Sequence, residues 1–533
     1  MRKHKRIIPT LVAASMLLST ILAGCGTTTP TSTPSNSSTA PAKSDFKILE
    51  ASMQDIQKGL KDGKVTSEEL VKFYLERIEK YDKQGPKLNS IIYLNKKAVE
   101  EAKALDKELK EKGPRSPLHG VPIILKDNFD TFDMPTSGGN KAMKDSQPTK
   151  DAFLTKKLRD AGAIIIAKSN LHELARAGWT MSSLGGQTLN PYDLTRTPGG
   201  SSGGTGTSIA ADFAVAGMGS DTVNSVRSPA SANSLVGFRP SYGLLSRTGV
   251  IPAAMTQDMA GPITKTVADT AVMMSVMAGV DPSDPVTKAA ESHIEKDYTK
   301  FLDKNALKGK RIGVVREIVG KDPEVTKVFN KALDVLKAQG AELVEITDPN
   351  FNTGKISKEC DVQVWESNPN LDEYLAVLGD KAPIKTTKEL IATNTMDPSI
   401  MKLMNGSQAL YPNNLTDPAY KTALENGQKL RDLINKTFAD NKLDAMVYPH
   451  QQVLVSKVVD NAQPGRNGIL ASIGMTPAIT VPGGFSTPTA DAQIGVPIGV
   501  EFMGLQWSDA KLISIAYAFE QATHARQVPK VTP

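Results

Sequence analysis

Cysteine is nearly missing from this sequence: only Cys25 and Cys360 occur in 533 residues, and Cys25 lies in a segment with an explanation of its own. That excludes an internal disulfide framework and a cysteine-rich zinc site. Histidine is almost as scarce, with six scattered residues, and His172-Glu173-Leu174-Ala175-Arg176 lacks the second histidine of a zinc-binding helix. No metal and no cofactor is implied. A large excess of one charge is missing too: 63 basic residues stand against 57 acidic ones, and five of the basic side chains (Arg2, Lys3, Lys5, Arg6, Lys43) precede the globular part. A nucleic-acid partner is therefore not indicated. Nor does any apolar run reach the length of a comfortable transmembrane helix. Hydrophobic residues at 40% and charged ones at 23% fit a soluble globular body.

What is present begins with an address. Residues 1–6 are basic, residues 7–21 are mostly apolar, and the stretch closes with Leu22-Ala23-Gly24-Cys25. Residues 1–24 read as a signal peptide. Their end resembles the lipobox of bacterial lipoproteins, in which the cysteine is lipidated on its thiol and becomes the mature N-terminus. Acyl chains on Cys25, each worth about 0.8 kcal/mol per buried CH₂, would hold the protein on the outer face of a bacterial membrane without a spanning helix. The rest of segment 25–45 (GTTTPTSTPSNSSTAPAKS and Asp45) is Thr/Ser/Pro-rich, as a solvated tether should be.

The folded part is expected over residues 46–530, which contain no repeat of solenoid period and no clear linker. Thr66-Ser67-Glu68-Glu69 has the form of a capping box ahead of Leu70, Phe73, Tyr74 and Ile78. Val121–Leu125 is an apolar run too brief for a helix, and it ends at Lys126; Ala163–Ala167 reads as a strand covered on both faces. Further strands are predicted over 311–315, 343–346, 479–481 and 498–503, with helices near 325–336 and over 509–523. The pattern is that of an α/β protein with a mixed sheet covered by helices.

The least average stretch is Pro198-Gly199-Gly200-Ser201-Ser202-Gly203-Gly204-Thr205-Gly206, followed by Gly219-Ser220-Asp221-Thr222-Val223-Asn224-Ser225-Val226-Arg227. No lysine follows the glycines as a phosphate loop requires, and no Gly-x-Gly-x-x-Gly follows a strand, so nucleotide binding is not indicated. Gly199-Gly200-Ser201-Ser202-Gly203 matches a nucleophile elbow, yet Asn190–Pro198 before it is a polar loop where that motif needs a strand. Joined with Leu118-His119-Gly120-Val121-Pro122-Ile123-Ile124-Leu125-Lys126-Asp127-Asn128, these residues resemble the amidase signature family. The resemblance runs from about Thr66 to His524. It takes in Gly237-Phe238-Arg239-Pro240-Ser241-Tyr242-Gly243, Ser246-Arg247-Thr248-Gly249-Val250-Ile251-Pro252 and Thr476-Pro477-Ala478-Ile479-Thr480-Val481-Pro482.

The resemblance implies a single large α/β/α domain and an amidohydrolase that uses a Ser-cis-Ser-Lys triad. It carries the lysine onto Lys126, the bridging serine onto Ser201 and the nucleophile onto Ser225. It places the oxyanion-binding N–H groups in the turn formed by Thr222, Val223, Asn224 and Ser225. Such a set works without histidine, because burial lowers a lysine pKa from its usual value of about 10.4 and leaves a neutral amine as base. Ser201, both donor and acceptor, then passes the Ser225 proton to Lys126. Asp221 and Arg227 are expected to brace the turn. The products are a carboxylate and ammonia or an amine.

One departure stands out. Val223-Asn224 replaces the family's usual Gly-Gly, and since valine resists left-handed φ, an altered turn and a narrowed acyl pocket are expected. That departure leaves open a catalytically impaired amidase-fold protein. A solute-binding lipoprotein would share the anchor and an α/β body but gives no reason for Lys126, Ser201 and Ser225 in this order. A penicillin-recognising enzyme is mimicked by Ser44-Asp45-Phe46-Lys47, Ser231-Ala232-Asn233 and Arg247-Thr248-Gly249, in positions that do not suit it. Within the family, export removes aminoacyl-tRNA as a substrate and favours a peptide or small-molecule amide.

Overall fold

The apolar runs of the sequence become strands of one eleven-stranded sheet in the computed structural model, which describes residues 46–533. The signal peptide, Cys25 and the tether lie outside the described residues. The strands are β1 (Ile91–Leu94), β2 (Pro122–Lys126), β3 (Ile164–Ser169), β4 (Ala216–Asp221), β5 (Val236–Arg239) and β6 (Met259–Thr264). They continue with β7 (Arg311–Val315), β8 (Glu342–Ile346), β9 (Ala445–Pro449), β10 (Ala478–Phe485) and β11 (Pro497–Met503). Their spatial order is β1-β3-β2-β4-β6-β5-β10-β11-β9-β7-β8. The β2 strand runs parallel to both β3 and β4, and β7 parallel to both β8 and β9, while the middle of the sheet is antiparallel. The sheet is therefore mixed, as expected.

Central strands are buried along their whole length, whereas the edge strands β1 and β8 keep exposed positions. A strand covered on both faces has no solvent side to alternate toward, which is why Ile123–Leu125 and Ile164–Ala167 read as unbroken apolar runs. Thr66 caps the helix Ser67–Arg77, accepting from Glu69 N–H while the Glu69 carboxylate accepts from Thr66 N–H. The helices Pro323–Ala338 and Asp509–Thr523 lie where the 3.6-residue pattern puts them. Among the described residues no helix is long and apolar enough to cross a membrane.

The sheet positions the site through one pairing. Leu125 of β2 stands beside Met218 of the parallel strand β4, so the two strands finish side by side. Lys126 ends one, and Ser220 and Asp221 end the other. In α/β sheets the carboxyl ends of parallel strands are where binding crevices form.

Candidate active site

Lys126 is wholly buried at the end of β2, and its Nζ meets Ser201 Oγ at 2.7 Å and Ser220 Oγ at 2.8 Å. Burial pushes the amine down to about 7, with the carboxylates of Asp221 and Asp258 partly opposing that shift. Ser220 lies within the motif, but nothing in the sequence sets it apart from its neighbours. Its hydroxyl also accepts from Asn128 Nδ2 at 3.0 Å, which fixes the oxygen that faces the lysine.

Ser201 follows a cis peptide bond from Gly200 and precedes the helix Gly203–Ala210. The glycines are there because backbones press on one another. A Cβ on Gly200 would lie 2.9 Å from Gly178 C, and one on Gly204 only 2.1 Å from Asn170 O. Ser201 Oγ also reaches Ala175 O at 3.2 Å, and Ser201 O accepts from His172 N–H. His172 itself is pushed by burial down to about 3 and stays neutral; its Nδ1 accepts from Trp179 N–H.

Ser225 sits in a strand–turn–helix unit: β4, the turn 222–226, then the helix Arg227–Ala232. The elbow-like setting that the sequence suggested at Ser201 thus belongs to Ser225. Lys126 and Ser201 are sealed from solvent while Ser225 stays 7% exposed, and Ser202 N–H donates to Ser225 O at 3.2 Å, tying the two serine segments together. Val226 N–H is taken by Asp221 Oδ2. The N–H groups of Val223, Asn224 and Ser225 donate to nothing among the described residues.

The turn is held by buried charges. Arg227 grips Asp221 through Nε and Nη2 at 3.1 and 3.0 Å, Glu501 Oε1 through Nη1 at 2.5 Å, and the carbonyls of Val223 and Gly468 through Nη2. Arg239 adds a second guanidinium on Asp221 at 3.0 Å. Burial alone would raise the Asp221 carboxyl, but Arg227 and Arg239 outweigh it and hold the group well below the usual carboxylate range. Glu501, bonded also by Tyr448, Thr480 and His450, is in the same way held at about 2. Arg227→Met should therefore destabilise the fold by about 3–5 kcal/mol, because two carboxylates are left buried and short of a partner. Lys156→Ala, which breaks an exposed pair with Asp160, should cost less than about 1 kcal/mol. Urea unfolding at pH 7 checks both. Because both carboxyls are depressed in the folded state, their stabilisation is present above about pH 4.5 and is lost as pH falls toward 2.

The expected effect of Val223-Asn224 is corrected by the structure. Neither residue has a positive φ, so valine meets no steric conflict in this turn. Its side chain is buried in an apolar cluster with Ile318, Ile469, Leu470 and Ile473 and does not line the cleft beside the serines.

That cleft has a volume of about 390 Å³. Its walls are Arg176–Trp179, the beginning of the helix Gln363–Leu378, and the loop carrying Gln463 and Arg466. Gln463 Nε2 donates to Ser228 Oγ in the helix after Ser225, and Gln257, which accepts from Val362 N–H, donates to Thr222 O at 3.4 Å. These contacts pin the walls to the Ser225 turn and the helix that follows it. Among the described residues no three His, Cys, Asp or Glu side chains converge to hold a metal.

Comparison with known proteins shows the family. A family model described as Amidase matches residues 69–513. The Arabidopsis thaliana protein named "Probable amidase" is 36% identical over 510 residues, covering 91% of this chain and 93% of its own length. A glutamyl-tRNA(Gln) amidotransferase chain from Alkaliphilus metalliredigens is 35% identical over 492 residues, covering 89% of this chain and 97% of its own. The crystal structure of native peptide amidase from Stenotrophomonas maltophilia superposes with a TM-score of 0.84 at 34% identity, covering 92% of this chain and 100% of that one. With all eleven strands and Lys126, Ser201 and Ser225 inside the matched span, this chain belongs to the amidase signature family and is an enzyme that hydrolyses amide C–N bonds.

Proposed function

We propose that the protein cleaves a carboxamide through a covalent acyl-Ser225 intermediate, with Lys126 as the base and Ser201 as the proton bridge. The observation that carries this reading is a buried amine, pushed down to about 7, set 2.7 Å from a serine hydroxyl. The Ser225 proton passes to Ser201, whose own proton passes to Lys126, while Ser225 Oγ attacks the amide carbon. The oxyanion takes hydrogen bonds from the turn Thr222, Val223, Asn224 and Ser225. Collapse breaks the C–N bond, and the leaving amine takes its proton from Lys126 through Ser201. Water, deprotonated by the same relay, attacks the acyl ester and releases the carboxylate. Treating the protein with a fluorophosphonate and locating the adduct by mass spectrometry tests the assignment. An adduct on Ser201 or Ser202 would overturn it, and full labelling without hydrolysis of any amide would point to the impaired enzyme.

The substrate is a peptide or small-molecule amide, a reading supported by the peptide amidase among the structural neighbours. The enzyme acts outside the cell, tethered by lipid on Cys25. Cys25→Ala should leave an unprocessed or shed protein whose residues 46–530 remain folded and active, as membrane fractionation with an activity assay would report. Wild-type protein recovered mainly in the cytoplasm would refute the address.

A further inference from the structure

The cleft beside the serines holds more uncommitted positive charge than negative, and this is unusual for groups so far from solvent. Arg176, only 6% exposed, spends Nη2 on Pro252 O and Ser367 O, while its Nε and Nη1 are buried without a partner among the described residues. Arg466, half-buried, lines the same cleft, close enough to Asp361 to act on its charge, yet among the described residues its guanidinium enters no ion pair. The one carboxyl in the lining, Asp361, is already engaged by Gln363 through N–H at 3.1 Å and Nε2 at 2.9 Å. Burial moves Asp361 toward its protonated form. Gln463 donates Nε2 to Ser228 Oγ, and its Oε1 is buried against Gly178 without a partner among the described residues. Buried or half-buried donors left without partners cost stability, and a ligand that supplies acceptors removes that cost.

We infer that this cleft receives an acyl group bearing a carboxylate, which Arg466 recognises through its planar pair of N–H donors, with Arg176 adding positive potential behind it. The volume of about 390 Å³ suits one such residue and its neighbour better than a long alkyl chain, and the polar lining would leave such a chain facing unpaired donors. Bidentate contact between a guanidinium and a carboxylate is stronger and more directional than a neutral hydrogen bond. The inference rests on the amidase reading above and deepens it by naming the chemistry of the acyl side.

The test is kcat/KM for three matched amides, acetyl-Glu-NH₂, acetyl-Leu-NH₂ and acetyl-Lys-NH₂, with each variant scored by the ratio between substrates. Wild type should favour the glutamyl over the leucyl amide by at least about tenfold and the leucyl over the lysyl amide, and added salt should shrink the spread. Arg466→Gln should bring the glutamyl-to-leucyl ratio close to one. Arg466→Glu should place the lysyl amide first. A wild-type ratio near one, or a glutamyl preference that survives Arg466→Gln, would overturn the inference while the amidase reading stands. Failure to hydrolyse any of the three, with no adduct on Ser225, would sink both.

Discussion

Ser225→Ala is expected to abolish the covalent adduct and to lower kcat by about 10⁶-fold, the scale at which removing a serine nucleophile leaves only binding and oxyanion contacts at work. Its fold should survive, because Ser225 is held through its backbone: Ser202 N–H reaches Ser225 O, and the turn is pinned by Asp221 and Arg227. Ser201→Ala should act differently in kind. The nucleophile remains and a covalent adduct still forms, more slowly by the contribution of general acid–base transfer, about 10²- to 10⁴-fold. Unchanged unfolding curves for both variants, together with intact-mass measurement after labelling, separate these outcomes. A Ser225→Ala protein that still acquires the label would reject the assignment.

Lys126→Met should reduce kcat/KM by about 10³-fold or more without a loss of stability. The activity falls because no amine is left to take the relayed proton. Stability holds because the replacement is apolar and similar in length, and the site, walled by Ile123–Leu125, already disfavours charge. The pH behaviour of the wild type follows from the same displacement. With the folded amine at about 7, kcat/KM should drop about tenfold per pH unit below that value, since protonation removes the base. For stability the direction is set by proton counting. Between about 7 and 10.5 the unfolded chain carries a proton on Lys126 that the folded protein lacks, so this group favours folding increasingly as pH rises through that window. Below about 7 both forms are charged and the burial penalty is fully felt. Lys126→Met should therefore be at least as stable as wild type at pH 6, and a marked loss of stability there would contradict a desolvated lysine.

Much of the scaffold is legible in local pattern. Lys126 is conspicuous because a charge directly after an unbroken apolar strand has no structural need to be there, and β7 at Arg311–Val315 and the helix Asp509–Thr523 have the limits that the pattern predicts. The strand β4 does not show itself in this way. Ala216-Gly217-Met218-Gly219-Ser220-Asp221 has neither alternation nor β-branched residues, since a Cβ on Gly217 would lie 2.3 Å from Thr205 Cγ2 of the helix packed on it. The helices between residues 353 and 441 are also hidden, because they are largely polar segments whose apolar stripes are narrow.

By itself the sequence determined the α/β class and the family motifs that carry Lys126, Ser201 and Ser225 in this order, because strand runs, glycine-rich close approaches and motif residues are local or nearly local properties of the chain. Only the tertiary structure decided the surroundings of those residues. It seals Lys126 from water and so sets its proton affinity near neutrality. It brings Glu501 to Arg227 across 274 residues to brace the turn that carries Ser225. It buries Val223 in an apolar core cluster, and it brings Arg176 and Arg466 into the lining of one cleft. Each of these depends on which strands lie beside one another in the sheet, and strand order is a long-range choice that a local pattern of residues does not encode.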